Sequence, residues 1–284
     1  GQENNLTILP ETRVHANGAN GRGVMFAYGK DHTFTQRGDV EALGANGIAA
    51  SFDFGHNSLG DNYETRGSYI HTASQKSAPL LDELNGPLVS RVDLTGRLAG
   101  KYAAIYISDN AYVGQINVMG PAQLSGDIIS EYNEVDEKSK QRITTLAFGN
   151  KANASGQSTG QADQDFSFSY GGNIVGINNL SVQLVAGQTQ LTGNHALYDL
   201  KVAQGATLLG SGNYKINRDG AFSNQGKVIL SRIETPLNID GAYAQTSTGE
   251  LQLAFNDKSK ISSLLVKGNA DVDGTLSFAP ERGY

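Results

Sequence analysis

Short bursts of apolar residues with a period of two, separated by Gly, Asn or Asp, constrain this chain more than any other feature. Over 101–130 they run as Ile105 and Ile107, then Val113, Ile116 and Val118, then Leu124 and Ile128. Alternation of this kind over three to six residues is the pattern of β-strands. The same texture resumes at Ile174, where Leu180-Ser181-Val182 is followed twenty positions later by Leu200-Lys201-Val202. Gly193-Asn194 recurs nineteen positions later as Gly212-Asn213. Self-similarity near twenty residues, carried by short strands and tight corners, is what a solenoid needs, because each coil pairs with the coil above and below.

Composition agrees with that geometry. Glycine accounts for 35 of 284 residues and proline for 6, against a usual glycine share of ~7%. Corners that require positive φ take Gly freely and tolerate Asn. The fold class expected is therefore all-β, a right-handed parallel β-helix with a C-terminal β cap. A sandwich or barrel of many short strands has the same local texture. The stalk is expected over 1–229, with a mobile polar excursion near 150–165, where the chain is almost wholly Asn, Ala, Ser, Gln, Gly, Thr and Asp. Longer alternating strands after Leu230 mark 230–284 as the end piece, since the last coil of a solenoid exposes unpaired backbone.

Helical signal is confined to two places. Ser77-Ala78-Pro79-Leu80-Leu81-Asp82-Glu83-Leu84-Asn85-Gly86 has a Ser cap, an early Pro and a terminal Gly, and predicts one or two helical turns. Residues 131–142 are densely charged without an apolar stripe and read as a solvated loop or a frayed helix.

Several chemistries are excluded or weakened. The chain has no Cys, which removes disulfides, thiolate metal sites and thiol nucleophiles. Its net charge of −6, with no block of like charges, gives no attraction for a phosphate backbone, so nucleic acid is not expected as a partner. No apolar run approaches the length of a membrane helix, and the start lacks the regions of a signal peptide. No catalytic residue, cofactor or metal is expected.

That expectation rests on specific residues. Gly156-Gln157-Ser158-Thr159-Gly160 matches a nucleophile elbow in sequence, but an elbow works only when a strand delivers the Ser to a sharp turn before a helix. A flexible loop explains it better. Asp31, Asp39, Asp53 and Asp61, at intervals of 8, 14 and 8, could place carboxylates on one face as a glycan-cleaving β-helix requires; solvated turn residues are the plainer reading. Asp271-Val272-Asp273-Gly274 is a fragment of a calcium loop without its further ligands. The sequons at Asn5, Asn153 and Asn179 matter only in a eukaryotic secreted protein. Tyr63, Tyr69, Tyr102, Tyr106 and Tyr112 form either a strip that stacks on sugars or on a second copy, or ordinary flank cover.

Some segments carry a resemblance. Gly23-Val24-Met25-Phe26-Ala27-Tyr28-Gly29, Gly47-Ile48-Ala49-Ala50-Ser51-Phe52-Asp53-Phe54-Gly55, Leu80-Leu81-Asp82-Glu83-Leu84-Asn85-Gly86-Pro87-Leu88-Val89, Gly126-Asp127-Ile128-Ile129-Ser130 and Phe222-Ser223-Asn224-Gln225-Gly226-Lys227-Val228 resemble the passenger domains of subtilisin-like serine protease autotransporters of Gram-negative bacteria. Gly241-Ala242-Tyr243, Gly249-Glu250-Leu251, Val266-Lys267-Gly268 and Gly274-Thr275-Leu276 are similar to the junction, or autochaperone, region of that family. The resemblance implies a β-helical stalk, located extracellularly at the bacterial surface after export through the outer membrane. Its partners would be an upstream protease domain and a downstream outer-membrane barrel of the same polypeptide. Homotypic self-association, as in adhesins and autoaggregating protease-agglutinins, is the alternative, and a glycan-active β-helix enzyme is a second one. The subtilisin-type triad is not expected within the chain: His15, His32, His56, His71 and His195 are followed by Ala, Thr, Asn, Thr and Ala rather than Gly, and no Gly-Thr-Ser occurs.

Overall fold

The computed structural model describes residues 2–59, 63–66, 70–71 and 86–281, and side chains outside 56–85. Among the described residues every regular element is a β-strand and there is no helix. Apart from Gly86, the segment that predicts a helix over 77–86 lies outside the described residues. Residues 131–142 form the solvated loop, closed by a bridge between Val135 and Gln141, with Asp136 Oδ1 accepting the Lys138 and Lys140 amides.

The chain forms two compact units, one of Gly1–Ile116 with Gln123–Thr144 and one of Asn117–Ala122 with Thr145–Tyr284. In the first, three parallel columns advance together. His32–Gln36 lies between Asn5–Ile8 and Val89–Leu94, so that Leu6, Phe34 and Val92 align. Asp39–Ala42 lies between Arg13–His15 and Arg97–Ile107, aligning Val14, Val40 and Leu98. Ile48–Phe52 lies between Arg22–Phe26 and the end of Arg97–Ile107, aligning Val24, Ala50 and Ile105. The path from Val40 to Leu98 is more than twice as long as that from Val14 to Val40, because it includes the antiparallel strands His56–Leu59, Tyr63–Arg66 and Ile70–His71.

The second unit repeats the arrangement with shorter and more even steps. Ser167–Tyr170, Gly187–Leu191, Ala206–Gly210, Lys227–Leu230, Glu250–Phe255 and Thr275–Pro280 form a six-stranded parallel sheet. Phe168, Thr189, Leu208, Val228, Leu251 and Leu276 align across it, each on the neighbouring strand. Two further columns run His195, Tyr214, Ile239, Val266 and Leu200, Phe222, Tyr243, Ala270. The pairing passes through Leu230 without a break, because Lys227–Leu230 has a parallel neighbour on each side.

Packing explains the residue choice. Strands covered on both faces read as aliphatic or aromatic runs, and Ile48–Phe52 is buried at every position. In the second unit Tyr214 meets Phe222 edge to face and Phe222 meets Tyr243 at a tilt, with ring centroids 5.2 and 5.7 Å apart. The corner at Gly187 needs both its positive φ of 70° and its missing side chain, since a Cβ there would collide with the Phe166 carbonyl. The described strands at the end of the second unit, by contrast, leave Leu265, Val272, Leu276 and Phe278 more than half exposed.

Two expectations change. The twenty-residue alignment of Leu180-Ser181-Val182 with Leu200-Lys201-Val202 is displaced by two: Val182 pairs with Leu200 and Leu184 with Val202. The register shifts between Gly176, which pairs with Leu197, and Ser181, which pairs with Asp199. An irregularity between them shortens the offset by three, and a displacement of two along the strand keeps the same side chains inward. The polar stretch near 150–165, too polar to order by burial, folds as an antiparallel hairpin of Asn150–Ala152 with Ser158–Ala162. Side-chain hydrogen bonds replace apolar burial: Asn153 Oδ1 accepts the Ser155 and Gln157 amides at 2.9 and 3.0 Å, and Thr159 Oγ1 donates to the Lys151 carbonyl at 2.7 Å.

Two substitutions test the interior. Phe222→Ala removes a ring that is fully buried between two tyrosines and is expected to cost about 3–5 kcal/mol. Tyr214→Phe is expected to act in the opposite sense, because the Tyr214 hydroxyl is buried with no hydrogen-bond partner among the described residues. Removing it stabilises by about 1 kcal/mol, the cost of an unsatisfied buried hydroxyl. Urea unfolding followed by circular dichroism measures both.

Candidate functional site

The described histidines divide by burial. His32 and His195 are 4% exposed. His32 Nδ1 accepts the Asn4 amide at 3.1 Å and its Nε2 donates to the Tyr28 carbonyl at 2.8 Å, which defines one neutral tautomer. His195 Nδ1 accepts the Ile174 amide at 3.1 Å. Both tie adjacent backbone segments together. His15 is exposed and belongs to a different arrangement; the side chains of His56 and His71 lie outside the described residues.

Parallel register gathers a charged cluster on the outside of the first unit. Arg13, Asp39 and Arg97 align across three strands, and His15 aligns with Glu41. Arg97 donates from Nη1 to Asp39 Oδ1 at 2.7 Å and from Nη2 to Glu41 Oε1 at 3.1 Å. His15 sits 3.3 Å from Asp39 and 3.6 Å from Glu41, and Asn17 donates to Glu41 at 2.8 Å. Burial alone would raise the Asp39 carboxyl, but hydrogen bonds from Arg97 and His15, with their charges, hold it below the usual range. Glu41 is lowered by hydrogen bonds from Asn17 and Arg97. Both carboxylates of this network are committed to their neighbours.

The other acidic candidates are not brought together with it. Asp31 occupies a turn at φ 56° before His32, and Asp53 caps its own turn by accepting the Gly55 amide at 2.7 Å. Asp61 lies outside the described residues. Asp273 Oδ1 accepts the Gly274 amide at 2.7 Å and Gly274 has φ 76°, which makes the calcium-like fragment a turn into Thr275–Pro280. Among the described residues no group of three or more His, Asp or Glu is placed to hold a metal ion. Ser158 opens the second strand of the hairpin, after a hairpin turn rather than a strand-to-helix turn, and its Oγ accepts the Gly160 amide at 3.2 Å. Asn179 is fully buried.

Of the five tyrosines, two meet. The rings of Tyr102 and Tyr106 lie 6.4 Å apart and border a groove of about 340 Å³ with Asn20, Arg22, Asn46, Ile48 and Asp53. Tyr112 instead stacks on Tyr132 at 5.4 Å and donates to the Ile143 carbonyl at 2.8 Å. Tyr69 lies outside the described residues, as does the side chain of Tyr63. The sequence contains a signal for this groove that strand patterning passes over: Gly18-Ala19-Asn20-Gly21 recurs 26 positions further on as Gly44-Ala45-Asn46-Gly47. These two corners stack, with Asn20 and Asn46 at φ 58° and 59° and their side chains joined at 3.1 Å.

The second unit carries a comparable groove of about 380 Å³, whose lining includes Asn213, Lys215, Asn238, Asp240 and Lys267. Asn213 and Asn238 belong to an asparagine ladder that begins at Asn194, joined by side-chain hydrogen bonds of 2.7 and 2.8 Å. Compared with protein-family models, curated proteins and solved structures, the chain matches none of them.

Acidification tests the charged cluster. Asp39 and Glu41 have lowered values in the folded chain, so their contribution is present above the unfolded carboxyl values near pH 4 and is lost as pH falls through the lower folded ones. Thermal unfolding midpoints are expected to drop between about pH 5 and pH 2, and Arg97→Met to flatten that drop.

Proposed function

We propose that the chain is the non-catalytic stalk of a secreted autotransporter passenger, a right-handed parallel β-helix that presents an upstream protease and whose C-terminal part, 230–284, templates folding during export. The observation that carries this reading is the register: within each unit three strand columns advance together. A chain that winds in this way folds coil upon coil from any stable end. The right hand follows from the rule that parallel crossovers are right-handed in about 98% of cases. The resemblance of the segments around Gly23, Gly47, Gly126 and Phe222 to passenger domains supplies the protease and barrel partners and the surface location.

A second reading, an adhesin acting by lateral self-association of such helices, is favoured by the ladder of exposed Asn194 and Asn213 with half-buried Asn238. Weak polar contacts repeated along one face add up across a cell surface.

Two measurements test these readings. Deleting 230–284 is expected to lower the yield of folded protein on refolding; unchanged yield and stability would remove the templating role. Sedimentation velocity over a wide concentration range separates stalk from self-association. A coefficient that does not change with concentration supports the stalk, and one that rises with concentration supports association.

A further inference from the structure

We propose that the groove bordered by Tyr102 and Tyr106 in the first unit is a binding site for a neutral pyranose, a hexose or N-acetylhexosamine unit of a glycan. The proposal is independent of how the chain is displayed and rests on what lines the groove.

One wall is aromatic. Tyr102 is 45% exposed, whereas Tyr106 is half-buried and its hydroxyl donates to Glu131 at 2.8 Å. The two rings are tilted by 52°, and Tyr106 is held in place by its hydrogen bond. Tyr102 therefore offers the accessible face, and the C–H side of a sugar ring packs on such a face.

The opposite wall is polar and fixed. Arg22 Nη1 donates to the carbonyls of Asn20, Gly21 and Asn46 at 3.1, 3.0 and 2.8 Å, clamping two successive corners. Asn46 Nδ2 donates to Asn20 Oδ1 at 3.1 Å. Among the described residues this leaves the Asn20 amide nitrogen as a donor and the Asn46 amide oxygen as an acceptor. Asp53 uses Oδ1 on Gly55, leaving Oδ2 as a second acceptor. A sugar hydroxyl both donates and accepts, and it matches such a mixed set better than a group that only accepts.

Charge selects among polar ligands. Arg22 and Asp53 balance within the groove, and the whole chain carries −6. A sulfated or phosphorylated ligand gains nothing from that field, while a neutral sugar loses nothing. The volume of about 340 Å³ lies at the lower end of small-ligand sites, about 300–1,000 Å³. Because the corners are already clamped, binding costs little ordering of the protein.

The test is a titration of the full chain with methyl β-galactoside, methyl α-glucoside and N-acetylglucosamine, read by saturation-transfer difference NMR. Saturable binding of at least one is expected, with a dissociation constant on the order of 1 mM. Tyr102→Ala is expected to weaken it about tenfold, the loss of one stacked ring, and Tyr102→Phe to retain it because the face remains. The exposed position of Tyr102 predicts an unchanged thermal midpoint in both variants, which separates lost binding from lost folding. Failure of all three sugars to saturate overturns the proposal. So does binding that survives Tyr102→Ala, or that is displaced by sodium sulfate as an anion site would be.

Discussion

Main-chain hydrogen bonding between parallel strands is the interaction on which every other feature of this protein depends. It aligns Val14 with Val40, and it aligns Tyr214 with both His195 and Ile239. Once that alignment is set, inward side chains stack on inward side chains and outward on outward. Neighbours on the surface are then drawn from different strands, as Asn194 and Asn213 are, or Asn5 and Thr33. The charged cluster around Arg97 and the asparagine ladder are both products of register rather than of local sequence.

The corners carry a second regularity. Gln36, Asn224 and Gln245 are buried amides that reach carbonyls distant in the sequence, on Arg97, Glu250 and Thr275 respectively. Gln36 and Asn224 also satisfy the amide two residues ahead, on Gly38 and Gly226. A corner interrupts the strand ladder and leaves backbone groups that must find partners. A buried carboxamide, with a donor and an acceptor on one short stem, supplies both. His32 and His195 do comparable work from the strand side.

Much of this architecture is legible in the residues, for reasons that also mark where legibility ends. Alternation of Ile105 with Ile107, and of Val113 with Ile116 and Val118, reports strands because burial on one face acts locally. The nineteen-residue recurrence of Gly193-Asn194 at Gly212-Asn213 reports a true register, since both asparagines occupy the same outward position. The recurrence of Leu180-Ser181-Val182 misleads by two residues, because an irregularity between Gly176 and Ser181 changes the offset between paired strands without changing the apolar texture. The groove at Tyr102 is hidden for a different reason. Its residues come from three segments, and only the repeated Gly-Ala-Asn-Gly shows that two of them stack. Nothing in residue type distinguishes Tyr102 from Tyr112, whose ring is taken up by Tyr132.

The hairpin of Asn150–Ala152 and Ser158–Ala162 stands outside these columns, and its two strands pair with each other. The turn between them is closed by its own asparagine, through the Asn153 side chain. Residues gained, lost or exchanged there change no alignment elsewhere, so selection can act on this turn almost independently of selection on the scaffold. That independence makes the turn of this hairpin a place where residues can change while the strand columns keep their alignment.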